Sequence, residues 1–258
     1  MLAIVDGTVM PAAEATVPAT DEGLLRGDGV FEVIRLYGGR PLALDEHVER
    51  LGRSARNLRL PLDAGAVRRD VQTLLEAAEP ADGLLRVVIT RGGRRIAMTE
   101  PLPAHADAIA LATVTYAPTR VLDGVKSLSY AANMLATRLA REAGADEALL
   151  VTPHGRVLEG PTSTLFCALD GAGLVTPPLD EHILDSITRR RVIDLTGARE
   201  APLPLADLLE AREAFLASTT REIQAVRAVD STPLAAAPGP LTAGAQAAFA
   251  AAVAREVG

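Results

Sequence analysis

Lysine is almost missing from this chain: of the 26 lysines and arginines in 258 residues, only Lys126 is a lysine. Arginine carries the rest of the positive charge, and one position, in "DGVKSLSY", keeps an amine. A guanidinium stays protonated and delocalised, whereas an amine can lose its proton, attack a carbonyl and form an imine. Lys126 is therefore a candidate imine-forming residue; the plainer account is an arginine-biased composition that left one surface lysine. Cysteine is equally scarce. Cys167 stands alone, which excludes an internal disulfide and a cysteine metal cluster, and His47, His105, His154 and His182 show no ligand spacing, so no metal site is expected. A net charge of -7 excludes a general nucleic-acid binder, which needs a net basic face. There is no basic leader and no long apolar run in "MLAIVDGTVM" or after it, so a cytoplasmic protein without a membrane partner is expected.

What is present suits a folded enzyme-sized protein. Hydrophobic residues make up 48% of the chain, ample for one large α/β domain or two modest ones. Apolar alternation around Asp6-Gly7 and again around Gly38-Gly39 predicts two hairpins. From Asp45, read as an N-cap, Val48, Leu51, Ala55 and Leu58 recur at helical spacing, as do Val67, Val71, Leu74 and Leu75. "LLRVVITRG" and "AIALATVTYAP" read as buried strands. The stretch containing Pro118 reads as a linker, which sets the expected division: a small N-terminal α/β domain over 1–118, a linker over 119–124, and a larger domain over 125–258. In the second half a helix from Leu128 to Ala143, with Leu135 and Leu139 on one face, precedes strands in "EALLVT", "RVLEG", "TLFCAL" and "GLVTPP". "ITRRRVIDLTG" reads as a helix entered at Thr188, "AFLAST" and "IQAVRAVD" as strands, and the end as an Ala/Pro-rich stretch followed by a terminal helix.

Several groups suit an anionic ring-shaped ligand. The N–H groups of Ile187 and Thr188 open a helix and can cradle a phosphate, although most such starts are simple caps. Ser218, Thr219 and Thr220 in "STTREI" cluster hydroxyls after a buried strand, where ordinary turn chemistry is the alternative. Glu159 in "RVLEGPTS" is either a solvated acid or, if buried against a pyridine nitrogen, the anion that keeps that nitrogen protonated. Arg50 lies on the helix near Asp45, where a surface role is the alternative.

Taken in order, "RGDGVFEVIR", "HVERLGRSA", "GVKSLSY", "DEALLVTPHGRVLEGPTSTLF", "HILDSITRRRVI" and "EAFLASTTREIQAVRAVD" resemble the class IV, or fold-type IV, pyridoxal-phosphate aminotransferases over nearly the whole chain. That resemblance implies a small N-terminal α/β domain, a larger C-terminal domain with a barrel-like sheet, pyridoxal 5'-phosphate between them, and a homodimer with shared active sites. It implies that Lys126 binds the cofactor as an imine and shuttles the substrate proton, and that Glu159 faces the pyridine nitrogen. Arg50, Ile187, Thr188, Thr219 and Ser218 would bind the phosphate, and Leu184 would pack on the ring.

The member is less sharply marked. The Tyr-x-Arg pair usual in branched-chain enzymes has no tyrosine in "LLRVVITRGG". D-amino-acid enzymes carry a tyrosine where this chain has Phe31, and their Arg-x-His trap is replaced by arginine-rich "RGGRR". Lyase members often have Thr-Thr where Glu32-Val33 stands. A substrate carboxylate calls for a guanidinium. Arg26 and Arg91 are therefore the expected binders, with Arg94 or Arg95 next, beside Phe31 and Thr220. The expected activity is transfer of an amino group between an amino acid, D configured by preference, and a 2-oxo acid such as 2-oxoglutarate or pyruvate. Aminodeoxychorismate lyase is the alternative, then a branched-chain L-amino-acid aminotransferase or an (R)-amine transaminase. An arginine-rich phosphate-binding module without chemistry would instead leave Lys126 incidental and the protein colourless.

Overall fold

The alternating run at the start of the chain folds as its Asp6-Gly7 pair predicts. In the computed structural model, which describes residues 1–258, β1 (Leu2–Val5) pairs with β2 (Thr8–Pro11) through Asp6 and Gly7 at φ 50° and 91°. Both angles lie in the left-handed region that a two-residue hairpin turn needs. A short helix α1 (Glu22–Arg26) follows, capped by Asp21, and then β3 (Gly29–Tyr37) turns at Gly38-Gly39 into β4 (Arg40–Pro41). Helices α2 (Leu44–Asn57) and α3 (Ala64–Ala77) come next, then β5 (Gly83–Thr90) and β6 (Arg95–Glu100). The expected N-cap of α2 moves: Ala43 holds that place at φ 54°, its N–H bonded to Glu256, and Asp45 lies in the first turn, where an acid favours the helix dipole.

These strands form an antiparallel sheet in the order β2-β1-β6-β5-β3-β4. Its helix-covered face buries Ile4, Val30, Ile34, Leu85 and Ala97 against Val48, Leu51, Val67 and Leu74 of α2 and α3. Alternation along the paired strands sends Phe31, Val33 and Arg35 of β3, and Arg86 and Val88 of β5, to the opposite face.

The second half contributes β7 (Ala108–Thr115), α4 (Ala131–Glu142), β8 (Glu147–Val151), β9 (Thr164–Leu169) and β10 (Gly173–Thr176). It continues through α5 (Ile187–Thr196), β11 (Arg199–Glu200), α6 (Leu205–Leu209), β12 (Glu213–Ser218), β13 (Glu222–Val229), β14 (Thr232–Pro233) and α7 (Pro240–Val257). Eight strands make a mixed sheet in the order β11-β10-β9-β12-β13-β7-β8, with β14 on β13. One side of it buries Leu111, Leu149, Leu165, Leu216 and Val226 with Leu203 and Leu208.

Three expectations for this half change. The helix near residue 128 starts only at Ala131, and it buries Ala136 and Ala140 against Ala112, Ala148 and Leu150. Leu135 and Leu139 are exposed, because small side chains let the helix lie close to the sheet and the leucines fall on its outer flank. "RVLEG" makes only isolated bridges, Arg156 with Pro204 and Val157 with Val151, rather than a strand. The terminal helix begins at Pro240, inside the Ala/Pro-rich stretch, residues 234 to 246, expected to precede it.

The chain divides into two compact units, one of Met1–Pro103, Gly124–Tyr130 and Glu256–Gly258, the other of Ala104–Asp123 and Ala131–Arg255. Residues 125–130, placed with the second half by sequence, thus join the first, together with Gly124 of the expected linker. Backbone pairing is the reason: Phe31 N donates to Lys126 O at 3.1 Å, Leu128 N donates to Gly29 O at 2.9 Å, and Val30 bridges Ser127.

Candidate active site

That short pairing carries the lone lysine to the start of β3. Lys126 N donates to Ser54 Oγ of α2 at 3.1 Å, so the segment is fixed from a helix as well as from a strand edge. The Lys126 Nζ lies 4.3 Å from the centroid of the Phe31 ring and 5.5 Å from that of Tyr130, and the two rings meet edge to face at 5.1 Å. Aromatic faces attract an ammonium through the negative potential of the ring. Tyr130 was not among the residues singled out by sequence; its place four residues after the lysine was the only signal.

Beneath this amine is a buried charged cluster that sequence reading missed in part. Glu32, on the helix-facing side of β3, accepts from Arg50 Nε on Oε1 and from Arg50 Nη2 on Oε2, both at 2.7 Å. Oε2 also meets His47 Nδ1 at 2.8 Å. Burial alone would raise the Glu32 carboxyl, but the Arg50 charge, its hydrogen bonds and that of His47 outweigh it and hold the pKa at about 2. The same burial lowers the pKa of His47, helped by the charges of Arg50 and Lys126 and opposed by Glu32. Arg50 is thus a buried, oriented cation, not a surface arginine. A glutamate inside the apolar run "GVFEVIRL", and a histidine three residues before Arg50 on the same helix face, were the available signals.

In the second unit Glu159 holds the segment before α5: Leu184 N donates to Glu159 Oε1 at 3.2 Å. Ser186, rather than Thr188, caps α5, its hydroxyl accepting from Arg189 N at 3.3 Å. Helix geometry leaves the N–H groups of Ile187 and Thr188 without intrahelical acceptors. Arg189 locks this first turn from below, its Nη2 donating to Pro177 O at 2.8 Å and to Glu200, while its side chain is among the largest fully buried ones. Ser218 ends β12, and its Oγ lies 3.4 Å from Thr220 Oγ1 and accepts from Arg221 N at 3.3 Å. Thr219 sits in the turn between them.

The four arginines expected to trap a carboxylate are not gathered. Arg26 is mostly exposed and pairs with Glu22 one helical turn earlier. Arg91 spends its fork on Asp28 and on the carbonyls of Leu58 and Arg59. Arg94 pairs with Asp6, and Arg95 with Asp70. A different guanidinium, that of Arg86 on β5, lies 5.8 Å over the Phe31 ring, with Glu100 as its ion-pair partner. Cys167 is buried, its thiol pushed up to about 12 by that burial and by Asp207, which leaves it unreactive. No group of His, Cys, Asp and Glu side chains is arranged to hold a metal ion.

The chain is similar to known proteins over most of its length. The chain is 37% identical over 250 residues, 87% of its length and 86% of the other, to a Methanocaldococcus jannaschii protein that carries the provisional name of branched-chain-amino-acid aminotransferase. It is 32% identical over 273 residues to the D-alanine aminotransferase of Bacillus licheniformis, covering 96% of each. A solved hypothetical aminotransferase from Mycobacterium tuberculosis, in its PLP-bound form, matches with a TM-score of 0.89 and 28% identity over 99% of both chains. The family described as amino-transferase class IV matches residues 29–229, more than half of the sequence, and the chain belongs to the class IV aminotransferases.

Proposed function

We propose that this protein is a pyridoxal-phosphate-dependent aminotransferase of the cytoplasm that moves an amino group between a D-amino acid and a 2-oxo acid. The single observation that carries the activity is the placement of the chain's one lysine, its Nζ 4.3 Å from the Phe31 ring and 5.5 Å from the Tyr130 ring. The donor set fits the cofactor chemically: a dianionic phosphate calls for a buried arginine, helix N–H groups and hydroxyls, and a pyridine nitrogen calls for a carboxylate. Arg50, the N–H groups of Ile187 and Thr188, and the hydroxyls of Ser218 and Thr219 would bind the phosphate. Glu159 would hold the proton on the ring nitrogen, and Leu184 would pack on the ring face. When bound, pyridoxal phosphate supplies a conjugated ring able to accept the electron pair left at the substrate Cα. Lys126 would hold the cofactor through Nζ and, as general base and acid, move the proton to and from that carbon.

An amino acid, unlike a simple amine, brings a carboxylate that needs a cation. Arg86, although paired with Glu100, is the better candidate than Arg26, Arg91, Arg94 or Arg95, because its guanidinium shares the Phe31 ring with Lys126. Thr220 is the hydroxyl proposed for the same ligand. The absence of a tyrosine two residues before Arg86 favours the D-amino acid over a branched-chain L-substrate. A homodimer is the proposed assembly: Leu24 and Leu25 on α1, and Met134, Leu135 and Leu139 on α4, are apolar and exposed, suited to a second copy. No helix is long and apolar enough to cross a membrane.

The test is a panel of amino donors, each mixed singly with the cofactor-loaded protein: D-alanine, D-glutamate, L-leucine, L-glutamate and (R)-1-phenylethylamine. Loss of the cofactor's visible band with D-alanine or D-glutamate is expected. Reaction with the L-amino acids alone would reverse the stereochemical reading, and pyruvate release from aminodeoxychorismate without an acceptor would establish the lyase.

A further inference from the structure

The turn that carries Ser218, Thr219 and Thr220 ends in a residue that none of the chemistry above uses. Arg221 is mostly buried, and its guanidinium reaches two groups on other elements: Nη2 donates to Glu147 Oε2 at 2.5 Å, and Nη1 donates to Gln224 Oε1 at 2.6 Å. Each of these is itself tied down. Glu147 Oε1 accepts from Thr137 Oγ1 of α4 at 2.7 Å and from Ala148 N at 3.0 Å, and Gln224 Nε2 donates to Ala106 O at 2.6 Å, just ahead of β7. The guanidinium thus joins α4, the first residue of β8, the segment before β7 and β13 to one three-residue turn.

A hairpin turn of this length needs no such brace to connect two paired strands, since β12 and β13 are already in register from Ser218–Glu222 to Ala214–Val226. What the brace adds is fixity at the hydroxyls. Arg221 N donates to Ser218 Oγ, and that oxygen meets Thr220 Oγ1, so where Arg221 sits decides where both hydroxyls point. Glu222, next in sequence, is held in the left-handed region at φ 56°, a conformation that persists in a non-glycine residue only where its surroundings impose it. The Arg221 Nε is buried with no hydrogen-bond partner, so the position is kept although one of its donors is left unsatisfied.

We infer that Arg221, clamped between Glu147 and Gln224, is a positioning residue that presets the Ser218 hydroxyl, and the turn that carries Thr219, for a phosphate group. The inference rests on the cofactor reading above and deepens it. Arg221 does not touch the phosphate in this scheme; it acts through Ser218, whose hydroxyl accepts from Arg221 N. A preset cup helps only a ligand that carries the phosphate, which separates this role from a general contribution to the fold.

The test is titration of the cofactor-free protein with pyridoxal phosphate and, separately, with pyridoxal, which has the same aldehyde and ring but no phosphate. Arg221→Met is expected to weaken pyridoxal phosphate about tenfold, the loss of about one hydrogen bond from a misplaced hydroxyl to a charged group, and to leave pyridoxal unchanged. Arg221→Lys keeps a charge beside Glu147 but cannot span both partners, so it should show the same phosphate-selective loss in milder form, and it serves if Arg221→Met does not fold. Equal weakening of both ligands, or unchanged binding of pyridoxal phosphate, would overturn the inference and leave the cofactor reading standing. A wild-type protein that takes up neither compound would overturn both.

Discussion

Glu32 grips Arg50 with both of its oxygens, each 2.7 Å from a guanidinium nitrogen, inside the core of the first unit. Carboxylate and guanidinium match in this two-point geometry, which fixes direction as well as charge. The cost of burying the pair is offset only while both members are present.

Replacing the carboxylate therefore strands a cation. Glu32→Gln should destabilise the protein by about 3 kcal/mol at neutral pH, as expected for breaking a buried pair, and should weaken cofactor binding because Arg50 loses its fixed orientation. Chemical denaturation and cofactor titration of the variant check the two effects. The same group sets an acid limit. Its pKa falls from 4.5 unfolded to about 2 folded, so its contribution is complete above about pH 4.5 and is lost as the pH falls towards 2. The lowered pKa of buried His47 acts in the same direction, beginning below 6.5 as the unfolded histidine takes up a proton more readily. Stability measured against pH should fall in acid, and Glu32→Gln should flatten the part of the curve below 4.5.

Gly29 makes the pairing of β3 with the Lys126 segment feasible. A methyl group there would lie 2.4 Å from Ile89 O and 2.6 Å from Leu128 Cδ1, the first a backbone atom that cannot step aside. Gly29→Ala should cost about 2 kcal/mol, in the range of overpacked sites, and should displace the strand edge that presents Lys126. Thermal melting together with cofactor uptake checks it; a variant with wild-type values for both would show the segment is held by other means.

Arg86→Met should raise KM for amino acids with a smaller effect on kcat, since a carboxylate contact made in both ground and transition state contributes uniform binding. A loss of about tenfold to a hundredfold in kcat/KM matches a charge-assisted contact. Steady-state kinetics with D-alanine decide it. If Arg91→Met shows that loss and Arg86→Met does not, the carboxylate site belongs to the β5–β6 turn.

Glu159→Gln should keep cofactor affinity close to wild type yet slow Cα deprotonation, because an uncharged amide no longer favours the protonated ring nitrogen. Single-turnover measurement separates the two. An unchanged rate would remove Glu159 from the ring nitrogen.

Much of this was legible in the chain because its signals are local. Asp6-Gly7 and Gly38-Gly39 name their own hairpins, and the spacing of Val48, Leu51 and Ala55 names the buried face of α2. Lys126 was legible by scarcity. What local pattern does not encode is pairing across distance. Nothing around residue 126 announces that it rejoins β3 nearly a hundred residues earlier, or that Arg91, Arg94 and Arg95 each close on an acid elsewhere in the chain. Apolar content also misled at α4, where periodicity favoured Leu135 and Leu139 but close approach to the sheet selected Ala136 and Ala140. Glu32 was hidden for the opposite reason, a charge in an apolar strand whose partner lies on the next helix.

The central claim is that Lys126 carries the chemistry, and a chain with one lysine allows a direct measurement of it. Apart from the α-amino group, Lys126 offers the protein's only primary amine. Loading the protein with pyridoxal phosphate, reducing it with borohydride and mapping the peptides by mass should place the cofactor on Lys126, with loss of the yellow band. Lys126→Arg, which keeps the charge but cannot form the imine, should take up no label and retain less than about a hundredth of wild-type transamination. Cofactor fixed at the α-amino group instead, or substantial turnover by Lys126→Arg, would contradict the account.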